Sequence, residues 1–306
     1  MKLSSAWIVV EDGQRPAGLV AARTLRKRLD TVWRELTVAG SGSTRDVACV
    51  HRLRVATRRA LAAIDAFRDL LPTKRADWYT KQLRRIRRAA GEARDLDVLT
   101  ERLTAEPEDS GSGQARRRLV SMLSKQREVS GQPIRLAYER LVDTWLDRIE
   151  QLLEGVATGR SQPTFRTYAR NRFQPMMRRF FTAADRKLRS ADEMHALRIE
   201  GKKLRYAMEI FSSMFSPRMR ARCYDALEKL QETLGDFTDH AAAADRLRRL
   251  AHEPSAAANR HVLEQLCARE EQRADKARKA FTKWWDADRR RALRRRFEQT
   301  LRRASA

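Results

Sequence analysis

The sequence predicts an all-α protein, and three observations carry that expectation. Only 12 Gly and 8 Pro punctuate 306 residues, so long segments run without a helix breaker. Hydrophobic residues make up 42% of the chain, enough for a real core and too many for wholesale disorder. Apolar positions recur at the spacing of an amphipathic helix rather than in the alternation of a half-buried strand.

The elements repeat. HRLRVATRRALAAIDAFRDLL, from His51 to Leu71, resembles HALRIEGKKLRYAMEIFSSMF, from His195 to Phe215, at a displacement of 144 residues. Without a gap, that register pairs Leu53 with Leu197, Arg54 with Arg198, Arg58 and Arg59 with Lys202 and Lys203, and Phe67 with Phe211. It continues through Leu83 and Leu227, Gly91 and Gly235, Asp95 and Asp239, and Leu103 and Leu247. Such a register predicts two homologous halves, about 15–155 and about 163–303, after an N-terminal extension of residues 1–14.

Each half reads the same way. An amphipathic helix comes first, roughly Ala17 to Val38 or Phe165 to Leu188, followed by a polar linker and the His-led helix. A third helix spans about Asp77 to Ala90 or Met219 to Leu234, where Gly91 or Gly235 is expected to end it as a C-terminal cap. Asp95 or Asp239 is then placed near the start of a further helix, where an acid is favourable. Thr104 to Gly113 reads as an exposed loop, Gln114 to Glu154 as extra helices, and Ala256 to Arg303 as another pair. Long antiparallel helices with short connections predict two four-helix-like bundles, side by side.

Charge narrows the partner. Lys and Arg number 65 against 40 Asp and Glu, a formal net charge of +25. That surface attracts phosphate polymers or anionic surfaces over a Debye length of about 8–10 Å. Cys49, Cys223 and Cys267 follow no metal-ligand spacing, and an odd count fits a reducing cytoplasm. The apolar stretch Ala6 to Val10 is too short for a secretory core or a membrane span, and no later stretch comes closer, so a cytoplasmic protein is expected.

At 100° per residue the His-led helix divides into two faces. Leu53, Ala60, Ile64, Phe67 and Leu71, with their counterparts Leu197, Leu204, Met208, Phe211 and Phe215, form a core stripe. Opposite lie His51, Arg54 and Arg58, matched by His195, Arg198 and Lys202, with Arg205 and Tyr206 added in the second half. Spacing of i, i+3, i+7 lines up three cationic or hydrogen-bonding groups along the axis, which suits a chain of phosphates. Arg offers a planar fork, Lys a mobile charge, and His an N–H. Arg84, Arg88 and Arg94 extend the basic surface. Two histidines beside arginines do not make a metal site, and no cofactor is expected. No Gly-rich phosphate loop or nucleophile elbow is present. The acids of Arg94 to Val98 stand two apart, so they read as caps or Arg partners rather than as an acid/base pair.

VHRLRVATRR (Val50 to Arg59) and HALRIEGKKLRY (His195 to Tyr206) resemble the CHAD family, the conserved-histidine α-helical domains. GEARDLDV (Gly91 to Val98) and LQETLGDFTD (Leu230 to Asp239) match the family's second signature, and the resemblance covers about Ala17 to Leu250. It implies two bundles related by pseudo-two-fold symmetry, a basic groove between them that binds inorganic polyphosphate without catalysis, and association with cytoplasmic polyphosphate granules and their proteins. The contacts it implies are His51, Arg54, Arg58, His195, Arg198, Lys202 and Arg205, with Arg59, Lys203 and Tyr206 beside them. Ala60 and Leu61 depart from the Leu-Arg often found there in the first repeat. Some relatives carry a fused triphosphatase domain. Its Glu-Xaa-Glu-Xaa-Lys signature is absent here, and the first helix begins too early to leave it room. The competing expectation is an RNA-binding protein, favoured by the Arg-rich tail Arg289 to Arg303. Against it, aromatic residues make up only 7% and fall mostly on core stripes, leaving few for base stacking.

Overall fold

With so few breakers the chain folds into helices: twelve α-helices and no strand are present among the described residues. The computed structural model describes residues 7–8, 10, 12–41, 47–105, 113–158, 162–188 and 190–303. Most of the loop expected between Thr104 and Gly113, and part of the apolar stretch Ala6 to Val10, lie outside them. The chain divides into two compact units, residues 16–162 and residues 163–306 with the N-terminal segment up to Arg15.

The first unit holds α1 (Ala17–Gly40), α2 (Val47–Ala66), α3 (Thr73–Ala89), α4 (Gly91–Ala105), α5 (Gly113–Val129), α6 (Gln132–Leu141) and α7 (Trp145–Leu153). Helices α1, α2 and α3 pack in succession, and α6 and α7 close the bundle against α1 and α3. Helices α4 and α5 form a hairpin beside it, tied by Asp97, whose Oδ1 accepts from Arg127 Nε at 2.6 Å. Leu25, Leu29, Leu53, Ile64, Leu83 and Leu123 fill the interior. Trp145 stacks on Trp33 at 6.0 Å and meets Tyr79 edge-on at 5.0 Å, and the Tyr79 hydroxyl donates to the Trp145 carbonyl at 2.7 Å. Burying the indole thus leaves the phenol with a partner, as a buried tyrosine requires.

The second unit holds α8 (Phe165–Ala184), α9 (Ala191–Ile210), α10 (Pro217–Ala251), α11 (Arg260–Trp284) and α12 (Ala287–Arg303). Helices α8, α9 and α10 pack in succession, α12 lies against α8 and α10, and α11 runs back along α10 as a long hairpin. Phe173 meets Phe215 at 5.2 Å and Phe297 at 5.9 Å, so α12 is held by aromatic packing through its apolar side. Helix α9 opens with a capping box, Ser190 with Glu193. The N-terminal segment packs on this unit: Ile8 N donates to the Glu209 carbonyl at 2.9 Å, and Trp7 lies 4.8 Å from Tyr224.

Element bounds recur at the displacement seen in the sequence. Helices α2 and α9 begin and end 144 residues apart, and so do the 3-10 turns after them, Arg68–Leu70 and Ser212–Met214. Every residue expected on the core stripe of these two helices is buried.

One local expectation fails. Gly91 and Gly235 do not cap helices: Gly91 is the first residue of α4, and Gly235 lies within the uninterrupted α10. A Gly cap needs positive φ, and among the described glycines only Gly155, just past α7, has it, at 74°. Asp95 lies near the start of α4, as expected, whereas Asp239 sits deep inside α10.

Candidate functional site

The site grows from one face of α2. Arg54 turns its guanidinium across the α3–α4 junction, where Nη1 lies 3.4 Å from both the Arg87 and Ala90 carbonyls. A side chain that competes for carbonyls of the i→i−4 ladder kinks a helix, and the bond from Arg94 N to Ala90 O is stretched to 3.4 Å here. In the second unit Arg198 meets Asp239, the counterpart of Asp95, with Nη2 3.5 Å from Oδ1, and α10 runs through without a break. Gln231 Nε2 donates to the Arg198 carbonyl at 3.3 Å. That bond needs the close approach of α10 at Gly201, where any Cβ would stand 2.9 Å from the same amide nitrogen.

In the first unit the cations converge. His51 is exposed, and its pKa is lowered by desolvation and then by Arg94, Arg58 and Arg54: every charge that shifts it is positive. Arg54, half-buried, is likewise lowered by desolvation and by Arg58, Arg87 and Arg94, with Asp95 opposing. Arg58 is also half-buried, and its Nε is buried without a hydrogen-bond partner. Three elements therefore aim positive charge at one patch around His51, α2 through Arg54 and Arg58, α3 through Arg87, and α4 through Arg94. Crowded guanidiniums and a neutral imidazole carry an electrostatic cost, and a nearby anion would favour every charged form there. Arg84 and Arg88 are exposed on α3, on the side that also carries Arg87, and Arg59 is half-buried on α2.

In the second unit His195 is exposed, and Arg198 and Lys202 are half-buried one and two turns further along the same face. Lys203 is drawn to Glu200, with Nζ 2.6 Å from Oε1. Arg205 and Tyr206 belong to an inner network. Arg205 Nη1 donates to the Tyr224 hydroxyl at 2.8 Å, which donates to Glu209 at 3.1 Å, and Glu228 lies 3.8 Å from the same guanidinium. Burial and Glu209 push the Tyr224 phenol up to about 12, so it stays protonated and donates. Tyr206 is buried, with Arg205 over its ring at 5.2 Å.

Sequence spacing missed Arg87 and Asp239 as members of this arrangement, while Asp95 acts on Arg54 as one of the Arg partners expected there. The signal was present as the basic run before Gly91 and the acid four residues after each glycine, which lets the carboxylate meet the arginine that crosses the helix there. No helix among the described residues is long and apolar enough to cross a membrane.

The family model of the CHAD domain matches residues 23–248, and the chain belongs to that family. Solved structures agree on the fold. The crystal structure of the CHAD domain from the plant Ricinus communis matches with a TM-score of 0.71 at 21% identity, over 90% of this chain and 95% of that one. PptA from Streptomyces chartreusis matches with a TM-score of 0.59 at 20% identity, over 88% of this chain and 99% of that one. No curated protein is detectably similar in sequence.

Proposed function

We propose that this protein binds inorganic polyphosphate, without making or breaking a bond, through the basic faces of its His-led helices. The observation that carries the reading is the convergence of Arg54, Arg58 and Arg94 on the exposed His51, where like charges already lower the imidazole's affinity for a proton. A flexible chain of phosphates offers a negative charge at every unit and no bases to stack, which fits a face of guanidiniums with few exposed rings. Binding is driven by counterion release and by the preset forks, so it weakens steeply with salt. In the same proposal one polymer engages the faces of both units along a basic groove, which makes long chains bind tighter than short ones through effective concentration. Residence on cytoplasmic polyphosphate granules follows from that affinity.

A competition experiment tests the reading. Labelled long-chain polyphosphate is bound to the protein at fixed salt and challenged with unlabelled polyphosphate, single-stranded RNA, duplex DNA or orthophosphate. The expected result is displacement by polyphosphate at concentrations, counted as phosphate, at least ~10-fold below those of either nucleic acid. Equal displacement by RNA replaces this reading with RNA binding.

A further inference from the structure

The two basic faces are unequal. The 144-residue register carries Arg84 onto Glu228, Arg87 onto Gln231, Arg88 onto Glu232, and Arg94 onto Thr238. The first four residues lie on α3 and α4, and the second four lie on α10, where Gln231 meets Arg198 and Glu228 meets Arg205. Glu228 and Glu232 are exposed, as Arg84 and Arg88 are. Cations of the second unit also have acids at hand: Asp239 lies 3.5 Å from Arg198, Glu200 lies 2.6 Å from Lys203, and Glu228 lies 3.8 Å from Arg205. Around Arg54, by contrast, Asp95 opposes three arginines. A phosphate that nears the first face meets positive potential from three helices. One that nears the second meets carboxylates, which repel it and already satisfy the guanidiniums.

We propose that the two faces divide the work: the first unit, around His51, Arg58 and Arg94, is the primary polyphosphate site, and the face of α9 and α10 is a weak secondary one. The inference rests on the polyphosphate reading above. It makes the duplicated motif a poor guide to strength, because the motif residues are shared and the difference comes from the helix packed beside them.

Matched variants test it in the full chain, by titration of labelled long-chain polyphosphate at fixed pH and salt. H51A/R58A is expected to weaken binding at least ~10-fold and H195A/K202A less than ~3-fold, given the size of charged hydrogen bonds. R84E/R88E gives the first face the acids of the second, and E228R/E232R does the reverse. The first exchange is expected to lower affinity more than K27E/K74E, which changes net charge equally at exposed positions elsewhere on α1 and α3. The second is expected to raise it. Far-UV circular dichroism and thermal melting establish that each variant is folded. Equal losses from the two alanine pairs, or a larger loss from H195A/K202A, overturn the division of labour. Absence of any polyphosphate binding by the unaltered protein is a different outcome, since it removes the function on which the inference rests.

Discussion

His51 shows how much a neighbourhood decides. Desolvation and three guanidiniums hold its imidazole below the ordinary value of about 6.5, so it is neutral near pH 7. As pH falls, the unfolded chain takes up this proton before the folded one, so His51 subtracts stability below about pH 6.5 and subtracts none above it. A bound polyanion raises the pKa instead, and binding takes up a proton. Affinity for polyphosphate is therefore expected to rise as pH is lowered from about 7.5 to about 5.5, and His51→Gln to flatten part of that rise. Calorimetry in buffers of different ionisation enthalpy reads the proton uptake directly, and equal uptake by the variant contradicts the assignment. The row of His51, Arg54 and Arg58 was legible in the sequence because helical spacing alone places it. Arg87 was not, although Arg84 and Arg88 on the same helix were, because sequence alone does not show which arginine of α3 comes nearest Arg54. Arg205 and Tyr206 share the row by spacing, yet α10 packs there and brings Tyr224 and Glu228 to meet Arg205. A periodicity rule sees one helix and cannot see what covers it.

At the scale of the element, sequence similarity and structural similarity part at the third helix. Both halves carry a glycine and, four residues on, an aspartate, but α3 and α4 are broken at Ala90 while α10 is continuous. Each arginine faces the aspartate of its own half, and Arg54 in addition reaches the Arg87 and Ala90 carbonyls at the break. Read as a helix stop, the glycine held for α3, which ends at Ala89, and misled for α10, and neither residue adopts the left-handed backbone of a Gly cap. A glycine whose role is spacing lies elsewhere. Gly18, in the first turn of α1, donates its N–H to Gln162 Oε1 at 2.7 Å, and a Cβ there would stand 1.9 Å from the Val156 carbonyl. Backbone cannot retreat as a side-chain tip can, so Gly18→Ala is expected to lower stability by about 2 kcal/mol or more. Urea unfolding followed by circular dichroism measures the change, and an unaltered midpoint would show that the α1 start and the segment after α7 are not held against each other as described.

For the whole molecule, fold class and the order of the first three helices in each half were legible from composition and from the repeat. The pair expected between Ala256 and Arg303 is present as α11 and α12, but the count of the extra helices after Gly113 was not legible. The stretch expected as extra helices holds three, α5 to α7, and its counterpart holds the long α11 followed by α12. Nothing in the 144-residue register reaches those parts, so only packing decides them. The net charge of +25 announced a polyanion partner but not where it sits. The central claim is that phosphates lie on the face of α2 between His51, Arg58 and Arg94, and a crystal structure of the protein with a short polyphosphate tests it most directly. Phosphoryl oxygens within about 3 Å of the Arg58 and Arg94 guanidiniums, beside the His51 ring, are the predicted result. Phosphates gathered only along the Arg-rich face of α12, with the His51 patch empty, would contradict it.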